Sequence, residues 1–147
     1  MMMSIKHATF TLERTYPASP ARVFAAWSDP ATKARWYIGP DGEHELDFRV
    51  GGTETNRGRH GDGPLLTFAT HYDDIVPQQR IVYSSTMTAD KTLTTVSITT
   101  VEFVPEGEGT KLILVQQGTY LDGHEEPSWR EAGTSSQLDA LGAEFTR

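Results

Sequence analysis

The 147-residue chain contains no cysteine, which excludes disulfides, thiolate metal centres and cysteine nucleophiles together. Long apolar runs are also missing. The longest, Val23 to Trp27, has five residues, against about 20 for a membrane-spanning helix. Basic side chains are scarce: 13 Lys and Arg face 20 Asp and Glu, for a net charge of −7. No run of Lys or Arg occurs anywhere. An acidic surface of this kind repels phosphate backbones and anionic lipid, so neither nucleic acid nor a membrane is an expected partner. The opening residues, Met1 to His7, hold no apolar signal core, which makes a cytoplasmic location the expectation.

What is present has the balance of a folded protein, with 37% hydrophobic and 22% charged residues. Length favours one domain over residues 1–147. Ile5 to Tyr16 alternates, with Ala8, Phe10, Leu12 and Tyr16 on one face, the period of a half-buried strand. Ser19-Pro20 and Asp29-Pro30 each read as an N-cap followed by a proline at the first helical position. Two short helices follow, the first carrying Val23, Phe24 and Trp27 and the second ending near Trp36.

From Gly42 to Gly118 the pattern is strands only. Leu46, Phe48 and Val50 alternate with Glu45, Asp47 and Arg49, and Gly51-Gly52 reads as a tight hairpin turn. Thr53 to Arg59, Leu65 to Ile75, Arg80 to Met87, Leu93 to Val104 and Thr110 to Gln117 complete the set, joined by short turns and hence antiparallel. Tyr120 to Pro127 reads as an acidic loop. Ser128 to Phe145 reads as a helix with Thr134, Leu138, Leu141 and Phe145 on one stripe.

An antiparallel sheet of about seven strands must bury one face, and the terminal helix is the largest element left to cover it. The expected architecture is therefore α+β: a curved sheet wrapped on a long C-terminal helix. One sheet plus one helix closes imperfectly and leaves a pocket between them. The candidate lining residues are Trp36, Phe48, Phe68, Tyr72 and Tyr83, with Thr70, Gln116 and Gln137 as polar members and Thr134, Leu138 and Leu141 from the helix. A sealed dry void of roughly 300 Å³ would cost about 7 kcal/mol. The pocket must then be small, lined with enough polar groups to hold water, or occupied.

This order of elements resembles the helix-grip fold of the Bet v 1/START-like (SRPBCC) superfamily. More narrowly it is similar to the single-domain bacterial relatives of the activator of Hsp90 ATPase. The matching stretches are Arg14 to Trp27, Asp29-Pro30, Trp36, Asp47 to Gly52, Ile75 to Tyr83, Gly109 to Leu112, Arg130 to Gly133 and Leu138 to Leu141. The ordered set carries the resemblance, and no single motif does. Members commonly carry Gly-Trp where this chain has Gly133-Thr134. Either a neighbour such as Trp129 or Tyr120 fills the missing volume, which dense interior packing favours, or the pocket is larger.

Candidate chemistry is sparse. His7, His44, His60, His71 and His124 show no metal-ligand spacing, and no metal or cofactor is expected. Glu43, Glu45 and Asp47 share a strand face and read as solvated. His71 and Asp73 share a strand face and could form an acid/base pair at a pocket mouth, but no convergent catalytic set appears, and no residue is assigned a catalytic role. The resemblance implies a non-enzymatic carrier or sensor of a small hydrophobic or amphipathic ligand. The alternatives are a polyketide cyclase/dehydratase-like enzyme or a chaperone-associated interaction protein. The extra N-terminal domain of the eukaryotic co-chaperone is not among the elements read, which weighs against a chaperone partner. A homodimer through a sheet or helix face stays open.

Overall fold

A computed structural model describes residues 3–146. Strand β1 (Ile5–Tyr16) is followed by α1 (Pro20–Ser28) and α2 (Pro30–Tyr37). Six strands come next: β2 (Glu43–Leu46), β3 (Thr53–Arg59), β4 (Leu65–Val76), β5 (Arg80–Ala89), β6 (Thr92–Glu106) and β7 (Gly109–Leu121). Helix α3 (Pro127–Ala143) closes the chain. The strands form one antiparallel sheet in the order β1-β7-β6-β5-β4-β3-β2. This is the α+β helix-grip architecture that the order of elements implied.

Capping starts both short helices where the sequence places them. The Ser19 hydroxyl accepts the Arg22 N–H at 3.2 Å. Asp29 serves two helices: its own N–H ends α1 on the Ala25 carbonyl at 2.9 Å, while its carboxylate accepts the Thr32 N–H at 2.9 Å to begin α2. Donors that a helix start leaves unpaired are thereby satisfied. Helix α3 has no such side-chain cap and two glycines, so tertiary contacts must hold it. Leu138 and Leu141 are fully buried beneath it. The Tyr16 hydroxyl donates to the Leu138 carbonyl at 2.7 Å, and the Phe145 ring packs on Tyr16 with centroids 5.3 Å apart. The helix lies so close to β1 that a Cβ added at Gly142 would meet the Tyr16 ring at 3.4 Å.

Several boundaries differ from the sequence reading, most of them by one or two residues. Strand β7 continues through Tyr120 and Leu121, where a loop was expected, because both pair with the start of β1 (Lys6 and Ile5). Strand β2 stops at Leu46, so Phe48 and Val50 lie in a connection instead of a strand, and Val50 is exposed. That connection, residues 47–52, is wider than the tight Gly51-Gly52 hairpin. Gly51 has a φ of +84° and its N–H reaches the Tyr72 carbonyl at 2.9 Å, while Tyr72 donates to the Gly52 carbonyl at 3.0 Å. The loop thus pairs with β4 where the β4–β5 register slips between Tyr72 and Asp74, as a β-bulge allows. Helix α3 itself ends at Ala143, so Phe145 is buried from beyond the helix end.

Candidate ligand-binding site

Between the concave face of the sheet and the N-terminal half of α3 lies a cavity of about 600 Å³. Alternation along the strands supplies its floor: Leu66 and Phe68 on β4, Tyr83 and Met87 on β5, and Leu114 and Gln116 on β7 each share an inward face. Trp27 of α1 and Trp36 and Tyr37 of α2 form one wall, and Trp129, Arg130, Gly133, Thr134, Gln137 and Leu138 of α3 the roof. His60, Pro64 and His124 complete the mouth with Trp129, which is 62% exposed. The space is twice what the void argument assumed. It opens to solvent, so the cost of a sealed dry void does not apply.

Of the eleven residues singled out from sequence, Trp36, Phe68, Tyr83, Gln116, Thr134, Gln137 and Leu138 line this space. The other four lie elsewhere. Phe48 packs on Phe24 and Tyr72. Thr70 is buried with its hydroxyl 2.8 Å from that of Ser85. Leu141 is buried in the core near the C-terminal end of α3, and Tyr72 belongs to an ion-pair cluster described below. His71 and Asp73 do meet, with Nδ1 2.8 Å from Oδ1, but both are exposed and neither lines the cavity. Their strand partner Tyr72 points inward instead, as period two requires. Neither proposed neighbour closes the space beside Thr134. Trp129 stands at the mouth, and Tyr120 lies over Gly118, where an added Cβ would be 2.7 Å from its ring. Thr134 and Trp129 both border the cavity.

At the polar end of the site Gln116 was read from sequence, but Arg130 and Glu125 were not. Arg130 is buried and forms two hydrogen bonds of 2.7 Å to the two oxygens of Glu125. It also donates to Gln116 Oε1 at 3.1 Å, and Gln116 in turn donates to the Thr99 hydroxyl at 2.9 Å. Thr95 donates to Glu125 Oε1. The guanidinium lies 5.1 Å from the Phe68 ring centroid, a cation–π approach. Running the α3 stripe one turn back from Thr134 reaches Arg130, and that extension is the signal that could have found it.

Behind the aromatic wall a second polar cluster centres on the buried side chains of Lys33, Glu54 and Tyr72, with His44 half-buried at its edge. Lys33 Nζ lies 3.0 Å from Glu54 Oε1, Tyr72 donates to the same oxygen at 2.7 Å, and His44 Nε2 lies 2.7 Å from Glu54 Oε2. The Lys33 ammonium sits 4.3 Å from the Tyr37 ring centroid, 5.1 Å from that of Trp27 and 5.7 Å from that of Trp36. These three rings also wall the cavity. Burial raises the Glu54 carboxyl, but the Lys33 charge and hydrogen bonds from Tyr72, His44 and Lys33 outweigh it and hold the pKa below its ordinary value. Burial also lowers the Lys33 ammonium, against the pull of Glu54. Burial and the Glu54 charge raise the Tyr37 and Tyr83 phenols, which keeps them neutral.

A seven-stranded sheet gripping a long terminal helix over an open cavity defines a helix-grip domain of the SRPBCC class. The chain belongs to the Activator of Hsp90 ATPase homolog 1-like protein family, whose model matches residues 17–146. A crystal structure of a protein from Rhizobium loti is 48% identical, with 96% of this chain and 99% of that one covered and a TM-score of 0.91. A Rhizobium leguminosarum protein is 40% identical over 100% and 99% of the two chains, with a TM-score of 0.94. One from Chromobacterium violaceum is 30% identical over 95% and 97%, with a TM-score of 0.81. No curated protein matches the chain. Membership supports a ligand-binding or cyclase-like domain. Among the described residues no helix is long and apolar enough to cross a membrane.

Proposed function

We propose that this protein binds a small hydrophobic or amphipathic molecule in the cavity between the sheet and α3, as a carrier or sensor and without chemical turnover. The open, aromatic-walled space of about 600 Å³ carries the reading, since a ligand-sized pocket falls in the range of about 300–1,000 Å³. Its apolar surfaces, Trp36, Tyr37, Phe68 and Leu138, suit a ring system or short acyl body. Gln116 and Arg130 at one end suit a polar head. The acid/base pair a cyclase-like reaction could have used, His71 and Asp73, lies outside the cavity. Saturable enhancement of a hydrophobic fluorophore, reversed by an aromatic or acyl competitor, is the expected result. No saturable binding across a broad panel would overturn the proposal. Native mass spectrometry of freshly purified protein adds whether a ligand is retained.

A further inference from the structure

The cavity walls contain two formal charges, and each already holds the other. Arg130 and Glu125 are the only Lys, Arg, Asp or Glu among the described lining residues, and they are joined by two hydrogen bonds of 2.7 Å. The other ion pair nearby, Lys33 with Glu54, is closed off behind the aromatic wall with both side chains 2% exposed. Among the described lining residues, no Lys, Arg, Asp or Glu is therefore left unpaired for a ligand of opposite sign, and the remaining titratable side chains of acid–base type are the imidazoles of His60 and His124 at the mouth. We infer that the ligand carries an uncharged polar head, a hydroxyl or amide, on an aromatic or aliphatic body. This inference rests on the binding reading above and narrows it.

The geometry argues against both charged alternatives. A carboxylate would have to displace Glu125 from a bidentate guanidinium contact that is already buried, leaving two carboxylates competing for one cation. An ammonium would compete with Arg130 for Glu125 in the same way. A hydroxyl or amide both donates and accepts, so it can join the Arg130–Glu125–Gln116 array without displacing either ion. Tyr37 and Tyr83, held neutral by burial and the Glu54 charge, add no further charge to the wall.

Three probes of one shape test this: naphthol, naphthoate and naphthylmethylammonium, titrated calorimetrically at neutral pH into the full chain. Naphthol is expected to bind about tenfold or more tightly than either ion, because each ion must break a buried pair. Glu125→Gln frees the guanidinium and should raise naphthoate affinity about tenfold relative to naphthol. Arg130→Gln should favour the ammonium instead. Circular dichroism confirms folding of each variant, and the wild-type ranking stands by itself should a variant not fold. Naphthoate binding as tightly as naphthol in the wild type, or an unchanged order in Glu125→Gln, overturns the inference while binding itself survives. Failure of all three probes overturns the cavity-binding reading and this inference with it.

Discussion

Lys33 Nζ lies 3.0 Å from Glu54 Oε1 with both side chains withdrawn from water. Removing two charges from solvent costs several kcal/mol per ion unless hydrogen bonds and counter-charge offset it. Tyr72 and His44 complete the carboxylate, and the faces of Trp27, Trp36 and Tyr37 surround the ammonium. This cluster ties α2 to β2, β3 and β4 and stiffens the aromatic wall of the cavity from behind.

Breaking the pair from one side should be far worse than removing it whole. Lys33→Met or Glu54→Leu alone is expected to cost about 3–5 kcal/mol, since each strands a buried partner. Lys33→Met combined with Glu54→Leu should cost much less than the two single losses added. Urea unfolding of the four chains measures the coupling, and additive losses would contradict it.

Acid sensitivity follows from the same carboxylate. The folded Glu54 pKa lies below its ordinary value of 4.5, so on acidification the unfolded chain takes up this proton first. The stability Glu54 contributes is therefore full above the ordinary carboxyl range and is lost as pH falls through the folded pKa. Unfolding free energy measured against pH should drop on the acid side, and Glu54→Gln should make that limb shallower. An equally steep limb in the variant would contradict the assignment.

The two glycines of α3 should respond differently to alanine. At Gly133 an added Cβ meets nothing within 4 Å, so Gly133→Ala should gain about 1 kcal/mol from helix propensity alone. At Gly142 the same methyl only comes into contact with the Tyr16 ring at 3.4 Å, but the position is next to the last residue of the helix, where a smaller propensity gain is expected. Thermal melts of the two variants make the comparison.

Thr134→Trp should fill the cavity. The side chain at this position borders the open space, and an indole would occupy a substantial part of it, since an aromatic side chain buries about 150–250 Å². Binding of a hydrophobic fluorophore should fall about tenfold or more, the scale of 1.4 kcal/mol, while the melting temperature holds or rises. Undiminished binding in a folded variant would place the ligand elsewhere.

Much of the architecture was legible in the sequence because its causes are local. Ser19-Pro20 and Asp29-Pro30 set two helix starts by capping over three residues, and period-two alternation marked β1 and the strands after it. The Leu138–Leu141 spacing identified the face of α3 that is buried. Seven cavity residues were within reach of the same rules, Phe68, Tyr83 and Gln116 as inward-facing strand positions and Trp36, Thr134, Gln137 and Leu138 as helix positions.

Tertiary structure alone decided the rest. Pairing of β7 with β1 extended a strand through Tyr120 and Leu121, since the ladder partner lies more than a hundred residues away. Lys33, His44, Glu54, Glu125 and Arg130 are charged or titratable types that local pattern assigns to solvent. A charge enters the interior only when a specific partner meets it there, and Lys33 meets Glu54 across 21 residues of chain. Sequence determined which faces turn inward; the closed fold determined which of the inward polar groups found partners, and so where the cavity is apolar and where it is not.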